Sequence, residues 1–233
     1  MSDPEFWVAV LKIIGIDIVL SGDNAVVIAL AARSLPAEQK NKAVFWGTAA
    51  AIILRLTLIF FALALLKLPF LKLVGAMLLL WIGMKLMLDE DDSTHEISAG
   101  AGMMAAIRTI VIADAVMSVD NVVAVAAAAK DSFGLAMFGI ALSIPIIIFT
   151  SQILLKFMEK YPVIIVIGAA LLGFVAGEMA WNDPALKDWT SPYPAWMQYL
   201  AGLVGAVIVV VWGNAVNARN RRVAQTGGGA SGG

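Results

Sequence analysis

Apolar runs long enough to cross a bilayer take up most of this 233-residue chain. A spanning helix needs about 20 mostly apolar residues. Seven stretches meet that length: residues 6–31, 43–67, 69–88, 103–129, 133–156, 162–180 and 196–216. The joints between them are short, and charge collects at 33–42, 89–96 and 183–188, which leaves no room for a separate water-soluble domain. Hydrophobic residues make up 61% of the chain and charged ones 14%, against about 25% charged in an ordinary soluble domain. Such a chain cannot clothe itself in a water-facing shell, which excludes a soluble enzyme and a disordered protein. A net charge of -1 gives no basic field for nucleic acid. The expected fold class is an all-α polytopic membrane protein of about seven transmembrane helices.

Lys and Arg gather in cytoplasmic joints. With the N-terminus outside, the inner side holds Arg33, Lys40, Lys42, Lys85, Arg108, Lys156, Lys160, Arg219, Arg221 and Arg222. The outer loops hold only Lys67, Lys72, Lys130 and Lys187. The predicted orientation is N-out, C-in, which an odd number of spans requires. Trp181, Trp189, Tyr193, Trp196 and Tyr199 then fall at the outer interface, as an aromatic belt. The acidic residues 1–5 do not resemble a signal peptide, so the first stretch is expected to stay as a span. A retinal protein needs a buried Lys on its last helix, and residues 196–216 have none. The Gly-rich residues 223–233 read as a flexible tail or an expression remnant.

The chain has no Cys and one His, so any metal chemistry must use oxygen ligands, which suit cations such as Mg, Ca and Mn. Candidate ligands come from an internal repeat. Asp17-Ile-Val-Leu-Ser21-Gly-Asp23-Asn24 and Asp114-Ala-Val-Met-Ser118-Val-Asp120-Asn121 share the frame D-x-x-x-S-x-D-N. Further on, Lys67-Leu-Pro69 with Gly75-Ala-Met-Leu-Leu answers Lys160-Tyr-Pro162 with Gly168-Ala-Ala-Leu-Leu. Each unit covers three spans, and an odd number forces the second copy upside down, an architecture common in secondary transporters. The expected organisation is a first three-helix unit over 1–102 with an acidic cytoplasmic loop, and an inverted second unit over 103–195. A seventh helix with a basic end follows over 196–222, then the tail at 223–233.

Asp17 and Asp23 straddle the middle of the first span; Asp114 and Asp120 straddle the middle of the fourth. An ionised Asp at a helix centre costs about 2.5–3.5 kcal/mol, so four cost roughly 10 kcal/mol unless protonation, pairing or a cation offsets it. The bland alternative is a set of carboxylates bonded to neighbouring backbone in a polar packing core. Asp17, Ser21 and Asn24, at i, i+4 and i+7, share a helix face. Asp17 and Asp23 differ in direction by about 120°, so one straight helix cannot aim both at one ion. In antiparallel copies Asp17 lies level with Asp120, and Asp23 level with Asp114, giving two carboxylate pairs. Gly22 offers a second route, a local loosening of the first helix that the second copy, with Val119, lacks.

Arg55 is the only basic residue near mid-membrane. Four carboxylates against one guanidinium leave a deficit that a divalent cation and a shared proton would close. An anionic substrate would widen it. Arg55 itself reads equally well as a structural partner of an Asp. Glu178 near an outer helix end and the acidic run 89–96 read first as interfacial and solvated groups.

The doubled motif, DIVLSGDN and DAVMSVDN on the first and fourth of seven spans, resembles that of the TerC family of bacterial membrane proteins. The resemblance covers all but the Gly-rich tail and fits the family's short members. It implies manganese export or metallation of secreted enzymes, and a cation site of Asp17, Asp23, Asn24, Asp114, Asp120 and Asn121. Ser21, Ser118 and Arg55 would support that site, and Val119 in place of glycine puts its symmetry in question. The function expected is a secondary-active exporter of Mn(II), with Ca(II) also open, coupled to protons and placed in the bacterial cytoplasmic (inner) membrane. No enzyme activity, resident cofactor or nucleic-acid partner is expected; the partners are the bilayer, the cation, protons and, as an option, a second copy of the chain. The alternatives are a LysE-like exporter of a cationic amino acid and a non-transporting partner of the secretion machinery. An intramembrane aspartyl protease is disfavoured, because Leu20 stands where its G-x-G-D motif needs glycine.

Overall fold

Proline and the joints between apolar runs set where the helices start. The structure, a computed structural model, describes residues 22–65, 68–88, 99–128 and 133–227 together with residues 7, 11, 14 and 15. Seven long helices and one short one account for nearly all of them: α1 (Gly22–Ala32), α2 (Ala37–Leu65), α3 (Leu71–Met87), α4 (Ala99–Ala128), α5 (Phe133–Lys160), α6 (Val163–Trp181), α7 (Lys187–Thr190) and α8 (Met197–Gly227). A 3₁₀ turn, Pro184–Leu186, precedes α7. Pro36 opens α2, its carbonyl accepting from Gln39 N at 2.8 Å and Lys40 N at 3.1 Å. Pro69, Pro162 and Pro184 stand at later starts, where a missing N–H costs nothing. Pro145 lies inside α5.

Among the described residues four helices are long and apolar enough to cross a membrane by length and composition, over Gly102–Val119, Met137–Lys160, Val163–Trp181 and Met197–Asn220. Several boundaries differ from the expected ones: α2 begins at Ala37 rather than residue 43, and α5 runs to Lys160 rather than residue 156. α4 begins at Ala99, ahead of the apolar run. α8 continues through Arg219–Arg222 to Gly227, into the expected tail, because Arg, Ala and Gln are good helix formers even where they are not apolar.

Side-chain contacts gather the helix ends at two faces. At one, Lys40 Nζ near the start of α2 meets Glu159 Oε1 at the end of α5, 2.5 Å apart. Arg33, just after α1, donates to Leu88 O past the end of α3 at 2.8 Å. Asn217 in α8 donates to Met87 O at 3.2 Å, and Gly102 in α4 lies against Leu35. At the other face, the loop after α6 meets the start of α3, and Asn182 donates to Gln198 Oε1 of α8 at 3.1 Å. The helices therefore run alternately between the faces, with α1 antiparallel to α4 and α2 parallel to it.

Asp183 organises the second face. Its carboxylate accepts from Phe70 N at 3.0 Å, Leu73 N at 2.9 Å and Ala185 N at 2.7 Å. It thus satisfies donors at the start of α3 that have no partner within the helix. It also holds Phe70 in the left-handed region at φ 65°, a conformation costly for a residue with a Cβ. Burial alone would raise this carboxyl, but bonds from the backbone N–H groups of Ala185, Leu73, Phe70 and Lys72 outweigh it and hold the group below the usual carboxylate range.

The core sits on α1, where Val27, Ile28, Ala29, Leu30, Ala31 and Ala32 are consecutive and all buried. A helix buried on every side has neighbours all round, and α1 packs on α2, α4, α5 and α6. α4 adds Ala106, Ile110, Ala113 and Met117 to the same core. The outer surface is the reverse of a soluble protein's: Ile53, Phe149, Val163, Ile167, Val207 and Val211 are exposed. An apolar surface of that kind suits lipid.

Candidate cation site

Small residues let α1, α2 and α4 come together. Gly47 of α2 lies so close to Ile110 of α4 that an added Cβ would fall 2.6 Å from the Ile110 side chain. Two turns further along α2, this approach brings Arg55 to Asp114 and Ser118. Arg55 is only 2% exposed and Asp114 7%. The Arg55 Nη2 forms an ion pair with Asp114 Oδ1, and its Nε donates to Ser118 Oγ at 3.0 Å. The Ser118 hydroxyl donates to Asp114 Oδ2 at 3.1 Å. Both carboxylate oxygens are thereby engaged.

The first motif copy reaches the same carboxylate. Asn24 Nδ2 donates to Asp114 Oδ1 at 2.8 Å, joining residues 90 positions apart. The amide is oriented by this bond, since turning it over would set oxygen against oxygen. Its own Oδ1 is buried and has no partner among the described residues. Asp23 accepts from the Asn24 backbone N at 2.9 Å and lies within electrostatic reach of both Arg55 and Asp114. Thr48 on α2, seven residues before Arg55, adds another buried oxygen with no partner among the described residues.

The expected site residues thus divide into two groups. Asp23, Asn24, Asp114, Ser118 and Arg55 come together. Asp17 and Ser21 lie outside the described residues, as does the expected loosening of the chain just before Gly22. Asp120 and Asn121 fall in α4, but their side chains lie outside the described set. Among the described residues no three Asp, Glu, His or Cys side chains converge as a metal site. What the arrangement offers is two carboxylates, an amide oxygen and the Ser118 hydroxyl, all hard donors. Thr48 was not singled out in the sequence. The available signal was its i, i+7 spacing from Arg55, which puts the two on one face of α2.

Comparison with known proteins adds the lineage. The description "Integral membrane protein TerC family" fits residues 2–221. The chain is 42% identical over 183 residues to the uncharacterized membrane protein YjbE of Bacillus subtilis, covering 78% of this chain and 84% of that protein. It is 25% identical to YkoY of the same organism, with 78% and 62% covered. It is 28% identical to the inner membrane protein YoaE of Escherichia coli, covering 74% of this chain but only 37% of YoaE. No solved structure matches. With the family's pattern running from residue 2 to residue 221, the chain belongs to the TerC family of integral membrane proteins.

Proposed function

We propose that this protein is a secondary-active exporter of a divalent cation, Mn(II) foremost, in the bacterial cytoplasmic membrane. The observation that carries the reading is the bond from Asn24 to Asp114, which joins the two motif copies at one buried carboxylate. A buried acid shared between two halves of a bundle is expensive in lipid and fits a cation route.

The finer architecture in this proposal is seven spans, N-out and C-in, as two inverted three-helix units and a closing helix. Helix packing supports it. Exchanging α1 with α4, α2 with α5 and α3 with α6 turns the pairs α2–α4, α3–α4 and α1–α2 into α1–α5, α1–α6 and α4–α5, all of them in contact. The face where α1 ends and α2 begins carries Arg33, Lys40, Lys85 and Lys160, which marks it as cytoplasmic. Protons are the proposed counter-ion, because neighbouring carboxylates share and release them as a cation enters.

Proteoliposomes holding the purified protein test this directly. Mn(II) should move in wild-type vesicles and not in empty ones, faster when a proton gradient opposes it. Absence of flux for Mn(II) and Ca(II) under either condition would overturn the reading. One observation favours a second one. A guanidinium seated on Asp114 and Ser118 is the group that a cationic amino acid would present, so arginine efflux from the same vesicles separates a LysE-like activity.

A further inference from the structure

The reading above leaves Arg55 as a neutralising charge, yet its position conflicts with cation binding. Its Nη2 lies on Asp114 Oδ1 and its Nε on the hydroxyl that serves Asp114 Oδ2. A metal ion on this carboxylate would share oxygens with the guanidinium. A divalent ion and a guanidinium held on the same buried carboxylate repel one another strongly, since little water screens them there. The two cations therefore exclude one another from Asp114.

The repeat shows that neutralisation is not a general need of the motif. α5 is the counterpart of α2 in the second unit, and residues 131–155 contain no Lys or Arg. The buried hydroxyls of α5 donate to their own helix, Ser143 to Ile140 O at 2.7 Å and Ser151 to Ile147 O at 2.8 Å. Among the described residues, the built-in cation lies on Asp114 of the second copy, carried by α2 and without a counterpart on α5. Beside it, the Asn24 amide already donates to Asp114 while its carbonyl oxygen is buried with no partner among the described residues. That oxygen acid-and-amide set stands ready for a second positive charge.

We propose that Arg55 is a tethered counter-cation that competes with the transported ion for Asp114. It holds the carboxylate when the ion is absent, gives it up when the ion binds, and returns to help expel it. Arg55 thereby keeps affinity low enough for release, which transport requires as much as binding. The inference rests on the cation-export reading and concerns the same site.

The test compares wild type, Arg55→Gln, Arg55→Lys and the double variant Arg55→Gln/Asp114→Asn, with Mn(II) titrated into purified protein and Mn(II) flux measured in proteoliposomes. Arg55→Gln should bind Mn(II) at least about tenfold more tightly while its flux falls, with Arg55→Lys between it and wild type. The double variant, which leaves no lone buried charge, should lose the gain in affinity. Equal or weaker binding by Arg55→Gln, in a wild type that binds and moves Mn(II), overturns the counter-cation alone and leaves the export reading standing. A wild type that neither binds nor moves a divalent cation overturns both.

Discussion

Asp114 takes contacts from three helices, so it is the residue whose change should be felt most. Asp114→Asn should abolish cation flux; because it strands the buried Arg55 guanidinium, its flux is compared, per inserted protein, with that of Arg55→Gln/Asp114→Asn, which should be equally inactive. Normal flux in that variant would remove Asp114 from the site. Ser118→Ala should do less, since it takes away one hydroxyl between two stronger partners. A double-mutant cycle on Asn24→Ala and Asp114→Asn should give a coupling of about 0.5–3 kcal/mol in ion affinity, as expected for groups in direct contact. That Asp23 should lie level with Asp114 was legible in the sequence, because antiparallel copies of one frame fix relative depth; the bond to Asp114 from Asn24, a residue the sequence placed on a face with Asp17 and Ser21, was not. Neither was Arg55's choice of partner. It depends on how α2 is rotated against α4, and that rotation is set by the close approach at Gly47, which no motif announces.

Single helices carry their own tests. α3 is held at its start by Asp183 and past its end by Arg33 and Asn217. Asp183→Asn should destabilise the detergent-solubilised protein by about 1–3 kcal/mol at neutral pH, through lost acceptors for buried N–H groups. The folded carboxyl is held below its unfolded value near 3.9. Its stabilisation is therefore complete above that pH and is lost as pH falls through the lower folded value. Thermal unfolding of variant and wild type should converge only in acid, and a constant gap down to the lowest pH would assign the loss to geometry rather than charge. Between α6 and α8, Gly173, Gly177 and Gly205 face opposing backbone so closely that an added Cβ would overlap carbonyl groups of the other helix. Gly177→Val should cost about 1–3 kcal/mol by prising the pair apart, seen as a lower Tm. The starts of α3 and α6 lie close to those read from hydropathy, whereas the start of α2 and the length of α8 were not legible, because hydropathy loses a helix where it leaves the apolar layer.

Across the whole molecule, alternating access in the proposed exporter requires α1 to shift against the helices around it. α1 and α6 meet where Gly168 lies against Val26 and Leu30. The chain has no cysteine of its own, so Val26→Cys with Gly168→Cys can be joined without interference. Oxidation should arrest flux and reduction restore it; undiminished flux in the cross-linked protein would show that this contact does not shift. The expected duplication rests on two unequal echoes in the sequence, the acidic frame and the later Lys-x-Pro with its Gly-Ala-x-Leu-Leu, which keep the same order. The burial of α1 on every side was not, since an apolar helix facing lipid and one facing other helices have the same composition.

The backbone approach between α6 and α8 divides the bundle's labour. α8 also touches α3, and α3 packs along α6, so these three helices, clamped by Asp183 and Asn217, form one stiff plate. The polar residues gathered around Asp114 all come from outside it, from α1, α2 and α4. The proposed exporter is then a fixed keel with a working valve mounted beside it, and the difference should be visible in time. Amide protons of α3, α6 and the membrane part of α8 should exchange with deuterium only through global unfolding. Those of α1, α2, α4 and α5 should exchange sooner, at the rate at which the valve opens.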